Sequence, residues 1–230
     1  MALLTEGDIF GLAGVYFYVL AVVAISWGLK DRVENPRKIV HILVGGIVFF
    51  WWSFDTRWVM AFLAAFPFVP QLLLATPGSP VKSLRNSVLG MHSSEGHAYG
   101  LVFYAISWTI IAYLLFDDLF AASIAIAAMS FGDGMGEVIG KRYGKKEYMR
   151  HRTAAGSLAV FVVSVVCILI ISWFYFDFLG YSGSTPPYNL YLFSISVGAL
   201  VAFLEAVTPG SVDNLVIPLV LAGFLHVMGV

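Results

Sequence analysis

Two acidic residues stand four positions apart in a glycine-rich stretch that closes an apolar segment. Asp133 and Glu137 share one face if this stretch is helical, because residues i and i+4 are neighbours on a helix surface. Each carboxylate near the membrane interior costs roughly 2.5–3.5 kcal/mol on insertion scales, and two together repel unless a cation lies between them. Oxygen ligands of this kind suit Mg²⁺, which often binds one or two carboxylates together with substrate phosphates. The pair is therefore a candidate magnesium site.

A series of glycines runs through the same stretch and ends among lysines. One interpretation is a small-residue face that lets a second helix approach closely. The other is a length of bare backbone that admits a polyphosphate together with Lys141 and the lysines after it, and the two are compatible. The stretch has neither the spacing of a Walker A loop nor that of the G-x-G-x-x-G motif. The glycines concerned repeat every four residues and are Gly132, Gly136, Gly140 and Gly144.

A second polar patch follows closely along the chain. Arg152 offers a forked guanidinium for phosphate, and Thr153 and Ser157 offer hydroxyls one helical turn apart. A basic loop that sets membrane topology, with Thr153 as the N-cap of the next helix, explains the same residues. Both interpretations stay open at this point.

Three smaller polar groups complete the candidates. Lys38 and His41 share a helix face, although a snorkelling lysine and a hydrogen-bonded histidine explain them as well. Glu205 ends an apolar run, and the segment from it to Asp213 holds no Lys or Arg. Buried acids need a cation or a distant base, whereas a solvated loop with Asp213 capping a helix is the alternative. The segment 92–97, with two histidines and one glutamate, is either a metal cluster or a polar lid.

The elements that must position these residues are indicated by composition. The 230 residues are 60% hydrophobic and 12% charged, with a mean hydropathy of +0.86. A soluble domain is nearer half apolar and a quarter charged, so this excess predicts an integral membrane protein. The net charge of −1 gives no indication of nucleic-acid binding. The single cysteine excludes an intrachain disulfide.

Apolar stretches predict an all-α, polytopic bundle of about eight transmembrane helices, with seven possible, in a single domain over 1–230. Segments 30–38, 76–97 and 141–152 hold four, two and six of the 13 Lys and Arg residues, which leaves only Arg57 elsewhere. With eight spans these segments fall on one side, and the positive-inside rule makes that side cytoplasmic and places both termini outside. The predicted cytoplasmic loops are 30–38, 76–97, 141–153 and 208–213. The predicted spans are 9–29, 38–54, 57–75, 98–116, 119–140, 154–176, 189–207 and 213–229.

Four motifs in this order resemble one enzyme family. They are Arg37-Lys38-x-x-His41, the stretch 131–140, the stretch 152–157, and Glu205 followed by Asp213-Asn214-x-x-x-Pro218. Together they resemble the CTP-dependent lipid kinases, which include dolichol kinase, phytol kinase and the CTP-using diacylglycerol kinase and are related to the phosphatidate cytidylyltransferases. The resemblance covers roughly 37–218. The Ala-Gly-Ser at 155–157 is closer to phytol kinases than to dolichol kinases.

The resemblance implies transfer of the γ-phosphate of CTP to the hydroxyl of a membrane isoprenoid alcohol, with Mg²⁺, in the lipid bilayer. Phosphoryl transfer needs positioning and charge neutralisation more than covalent help. His41 and Asp133 are alternative acceptors of the alcohol proton. By the resemblance, the catalytic residues are Asp133, His41 and Lys38, and the metal ligands are Asp133, Glu137, Glu205 and Asp213. The implied nucleotide or phosphate contacts are Gly132, Gly134, Gly136, Gly140, Lys141, Arg152, Thr153, Ser157 and Asn214.

Two other functions remain open on the sequence. A cytidylyltransferase that makes a CDP-activated lipid would use the same cytidine and metal features but release pyrophosphate. A small ion-coupled transporter would use the acidic residues as an ion path, yet the polar residues gather at one membrane face instead of lying along the bilayer.

Overall fold

The structure is a computed structural model and describes residues 4–33, 36–85, 99–149 and 152–229. The chain forms two compact units, each described by itself. The first comprises Met1–Leu114 and Gly210–Leu215, and the second comprises Leu115–Pro209 and Val216–Val230.

Every regular element described in the first unit is a helix. Pro36 opens its second helix, where a missing backbone N–H costs nothing, and Pro67 separates a π-helical segment from the helix after it. The elements are α1 (Glu6–Gly28), α2 (Pro36–Val44), a 3₁₀ helix (Gly45–Ser53), a π-helical segment (Val59–Ala65), α3 (Phe68–Leu74), α4 (Lys82–Arg85), α5 (Gly100–Leu114) and a 3₁₀ turn (Gly210–Val212).

A buried carboxylate joins the start of α1 to the connection after the first 3₁₀ helix. Asp8 is fully buried, and with Thr5 it forms a capping box at the N-terminus of α1. Its Oδ1 accepts from the backbone N–H groups of Asp55 and Thr56 at 3.1 and 3.0 Å, and its Oδ2 accepts from the Thr56 hydroxyl at 2.6 Å. One side chain thus fixes two segments that are 47 residues apart in sequence.

We expect Asp8→Asn to lower the free energy of unfolding by about 2–3 kcal/mol, because an amide NH₂ would replace an oxygen that faces donors. Thermal unfolding of the purified protein in detergent measures this loss. Glu6→Gln is the control, since Glu6 lies in the same helical turn but is exposed. Equal melting temperatures for the two variants would contradict a structural role for the Asp8 carboxylate.

The second unit is built around one long helix that contains a π-helical turn. A short antiparallel hairpin follows that helix, in a segment that the sequence predicts as a loop. The elements are α6 (Leu119–Ala127), a π-helical segment (Ala128–Asp133), α7 (Gly134–Tyr143), β1 (Glu147–Met149), β2 (Arg152–Thr153), α8 (Ala154–Ser172), a π-helical segment (Trp173–Phe178) and α9 (Leu190–Val207). The last helix, α10 (Asp213–Met228), begins in residues of the first unit and continues in the second.

The prediction of an all-α membrane protein is confirmed. Within the described ranges, four helices are long and apolar enough to cross a membrane: Glu6–Gly28, Leu119–Tyr143, Ala154–Phe178 and Leu190–Val207. Shorter apolar helices, Lys38–Ser53, Val59–Leu74, Gly100–Leu114 and Asp213–Met228, correspond to the other four predicted spans. The number of crossings and the side on which each loop lies stay predictions.

The four long helices differ in how much of their apolar part is buried within the structure. The apolar part of Leu119–Tyr143 is 89% buried, against 33% for each of Ala154–Phe178 and Leu190–Val207. The last two therefore expose apolar side chains such as Val162 and Phe203, as lipid contact requires. The helix that carries Asp133 is thus an interior helix of the structure.

Candidate active site

Asp133 lies where the long interior helix changes its winding. The π-helical segment ends at Asp133 and α7 begins at Gly134, so the carboxylate is placed by an extra residue in the helix turn before it. Asp133 is 5% exposed, and Gly132 and Gly134 beside it are also buried. Such π-helical turns often occur at functional sites, because they direct a side chain that a regular helix would point elsewhere.

Arg152 joins two buried acids from different helices. Its Nη1 lies 2.7 Å from Oε1 of Glu205 in the last turn of α9, and 4.0 Å from Oδ1 of Asp133. The side chains of the two acids are 4% and 7% exposed, whereas that of Arg152 is 19% exposed. We call these three residues the acid–arginine cluster. All three lie in the second unit, although up to 72 residues separate them in sequence.

The hairpin determines where Arg152 stands. In β2 it pairs with Met149 of β1, and Thr153 pairs with Glu147, with an irregularity in register at Tyr148. Thr153 then caps α8, since its Oγ1 accepts from the N–H of Gly156 at 3.2 Å. The predicted N-cap role of Thr153 is therefore confirmed, and its predicted nucleotide contact stays a prediction.

Neither Tyr148 nor the strand pairing is predicted by the sequence pattern. Tyr148 lies in β1, and its hydroxyl is 2.6 Å from Oγ of Ser157 in the first turns of α8. Strands of three and two residues are too short for an alternating pattern to be recognised in sequence. No sequence signal would have identified this contact.

The glycine series packs α7 against α8, which confirms the small-residue face. A Cβ on Gly136 would come closer to Cγ2 of Val160 than van der Waals contact allows, and a Cβ on Gly140 would lie 3.3 Å from Cα of Gly156. A Cβ on Gly132 would lie 2.7 Å from Oγ of Ser164. The second interpretation, phosphate binding by this backbone, stays a prediction.

We expect Gly136→Ala to destabilise the protein by about 1–3 kcal/mol, because the buried, β-branched Val160 has little freedom to move away. Activity should fall as well, since α7 continues directly from Asp133. Gly223→Ala in α10 is the matched control, because its Cβ meets nothing within 4 Å. Thermal unfolding of both variants separates overpacking from the general effect of removing a helical glycine, which is stabilising. Equal shifts would contradict the close approach of α7 and α8.

Glu137 and Lys141 pair with each other along α7. Nζ of Lys141 lies 2.8 Å from Oε1 of Glu137, and the two side chains are 71% and 30% exposed. An exposed i, i+4 pair stabilises a helix by only about 0.3–0.5 kcal/mol. The pair is therefore weak enough to open for a ligand, and the predicted roles of both residues stay predictions.

The remaining predicted residues belong to the first unit. His41 is 4% exposed and meets the ring of Tyr104 edge-on at 5.6 Å between centroids. Asp213 and Asn214 are also buried, and Oδ1 of Asp213 accepts from the N–H of Asn214 at 2.7 Å. Lys38 is half-buried in α2. That these four complete the same site as the cluster stays a prediction.

The segment 92–97 lies outside the described residues, so its predicted metal cluster or lid is not addressed by the structure. Within the described ranges, no three His, Cys, Asp or Glu side chains are grouped to hold a metal ion. The donor chemistry nevertheless fits Mg²⁺, because Mg²⁺ needs only one or two protein carboxylates when phosphates and water supply the rest. Asp133 and Glu205 are buried carboxylates of this kind.

The fold and the site define an all-α integral membrane protein with a buried acid–arginine cluster. The chain is 30% identical over 223 residues to a phytol kinase of Synechocystis sp., which covers 91% of this chain and 86% of the relative. It is 29% identical over 227 residues to phytol kinase 1, chloroplastic, of Arabidopsis thaliana, covering 93% and 73%. A probable chloroplastic phytol kinase of Triticum aestivum is 30% identical over 218 residues, covering 90% and 71%. The chain belongs to the phytol kinase family, as the resemblance implied.

No family model and no solved structure matches the chain. The family assignment therefore depends on sequence similarity to these relatives over 90–93% of the chain.

Proposed function

We propose that this protein is a kinase that phosphorylates the hydroxyl of a membrane isoprenoid alcohol, with phytol as the first candidate and CTP as the phosphate donor. The observation that carries the proposal is the acid–arginine cluster in a chain similar to phytol kinases over 91% of its length. The preference for phytol follows from the relatives' names, and the preference for CTP follows from the motif resemblance.

Arg152 would bind and orient phosphate in this proposal. A guanidinium offers forked donors that match phosphate oxygens, and charge neutralisation is the main requirement of phosphoryl transfer. Glu205 lies 2.7 Å from the guanidinium, which fixes the orientation of the side chain that would meet a phosphate. Because the Arg152 side chain is more exposed than either acid, a ligand approaching from the water side would meet the guanidinium first.

Asp133 would serve the acceptor alcohol or the metal. A carboxylate can accept the hydroxyl proton as the oxygen attacks phosphorus, and His41 is the alternative acceptor that the sequence analysis left open. Mg²⁺, when bound by Asp133 or Glu205 with the phosphates, would neutralise the charge on the transferring group. Lys141 could then leave Glu137 and bind the phosphates, and Glu137 could bind the metal.

The proposed chemistry would lie on the cytoplasmic side, as the positive-inside rule predicts from the basic segments. Residues 141–146 hold four exposed cations, two in the last turn of the interior helix and two directly after it. Since soluble nucleotides are cytoplasmic, such a location would give the site access to its donor.

The proposal is tested with purified protein reconstituted in lipid. Phytol, geranylgeraniol and dolichol are each incubated with CTP, ATP, GTP or UTP and Mg²⁺, and lipid and nucleotide products are identified by mass spectrometry. We expect phytyl monophosphate together with CDP, and loss of the product when EDTA removes Mg²⁺. A parallel incubation supplies phytyl monophosphate with CTP, and release of pyrophosphate with a CDP-lipid there would instead indicate a cytidylyltransferase. Absence of any phosphorylated lipid across the panel would reject the proposed activity.

A further inference from the structure

The hairpin that carries Arg152 is too small to hold its own position. A two-stranded pair is marginally stable in isolation, and here the strands contribute three and two residues. Arg152 nevertheless reaches Glu205 at 2.7 Å, which requires its backbone to stay in one place. Some contact outside the strand pairing must therefore anchor the hairpin.

Two contacts connect the hairpin to α8. The first is the Thr153 cap, which fixes the strand that Arg152 belongs to. The second is the hydrogen bond between the hydroxyls of Tyr148 and Ser157, at 2.6 Å, which fixes the opposite strand one turn further along the helix. Tyr148 lies at the irregularity in register, where side chains are often redirected. Successive residues of a strand point to opposite faces, so the residues on either side of Tyr148 in β1 point away from the face of its own side chain.

We propose that Tyr148 is a positioning residue for phosphoryl transfer. By bonding Ser157, it holds β1 on the first turns of α8, and the strand pairing then holds Arg152 beside Glu205 and Asp133. This inference depends on the proposed role of Arg152. It also assigns the Ser157 hydroxyl a structural bond in addition to its predicted phosphate contact.

Tyr148→Phe tests the inference, because it removes only the hydroxyl and retains the ring. We expect kcat/KM for phytol phosphorylation to fall about threefold to tenfold, the range for loss of one hydrogen bond between side chains. The melting temperature should stay near that of the wild type, since Tyr148 is half exposed. Tyr143→Phe is the matched control, because Tyr143 is an exposed tyrosine at the end of α7 and should not affect the rate.

Two double variants separate positioning from direct contact with a substrate. If Tyr148 acts through Ser157, Tyr148→Phe combined with Ser157→Ala should be no less active than Ser157→Ala alone. If it acts through Arg152, Tyr148→Phe should have no further effect in an Arg152→Lys background. Additive losses in both double variants would overturn the inference, as would full activity of Tyr148→Phe. An inactive wild-type protein would instead reject the proposed function itself.

Discussion

Asp133→Asn is expected to lower kcat/KM for isoprenoid-alcohol phosphorylation by about 10²–10⁴-fold, the range for loss of a general base. Asparagine has nearly the same size, so the packing of the interior helix should be preserved around a residue that is 5% exposed. The loss would reflect the missing negative charge, whether that charge takes a proton or binds Mg²⁺.

The control for Asp133 is Asp31→Asn, because Asp31 is an exposed acid outside the proposed site. Its activity and melting temperature should match those of the wild type. Steady-state rates with varied Mg²⁺ distinguish the two roles of Asp133. Partial recovery at high Mg²⁺ would indicate a ligand, and no recovery at saturating Mg²⁺ would indicate a base. More than half of wild-type activity in Asp133→Asn would contradict both roles.

Arg152→Ala is expected to reduce both stability and activity. Removing one member of a buried ion pair costs about 3–5 kcal/mol, because the charge of Glu205 stays in a low-dielectric environment. Activity should fall about 10²–10³-fold, the effect of losing one strong donor to a developing negative charge. Thermal unfolding and initial rates measure the two losses, and Arg32→Ala, which removes an exposed arginine, is the control.

A double variant separates the two contributions of Arg152. Arg152→Met combined with Glu205→Gln removes both charges of the pair while it retains side-chain volume. We expect stability to recover toward the wild type, since neutral replacements of a buried ion pair are often tolerated. Activity should stay low. A stable double variant with normal activity would show that the ion pair is structural only.

Much of the fold could be predicted from hydropathy alone. Each of the eight predicted apolar segments contains a helix, for example 154–176 against Ala154–Phe178, where the apolar run and the Thr153 cap both set the boundary. The helix type could not be predicted. The segment Gly45–Ser53 forms a 3₁₀ helix, and Ala128–Asp133 forms a π-helix. An apolar run looks the same in sequence whether it forms an α-, 3₁₀- or π-helix, because the helix type depends on how the segment packs.

The residues of the candidate site could be predicted from the sequence, but the ion pairs between them could not. Asp133, Arg152 and Glu205 were identified as polar residues at the same predicted membrane face, and the structure brings these three together. Glu205 is the close partner of Arg152 because α9 packs beside α8. The spacing of residues in the sequence does not predict this packing. Tyr148 was missed for the same reason, since its role depends on a contact nine residues away in a short hairpin.

Transfer of radioactive γ-phosphate from CTP to phytol in proteoliposomes tests the central role of the acid–arginine cluster most directly. The assay compares wild-type protein with the Arg152→Met/Glu205→Gln variant, after thermal unfolding has shown the variant to be folded. Labelled phytyl phosphate should form with the wild type and be reduced at least about 100-fold with the variant. Equal labelling by both proteins would contradict the account.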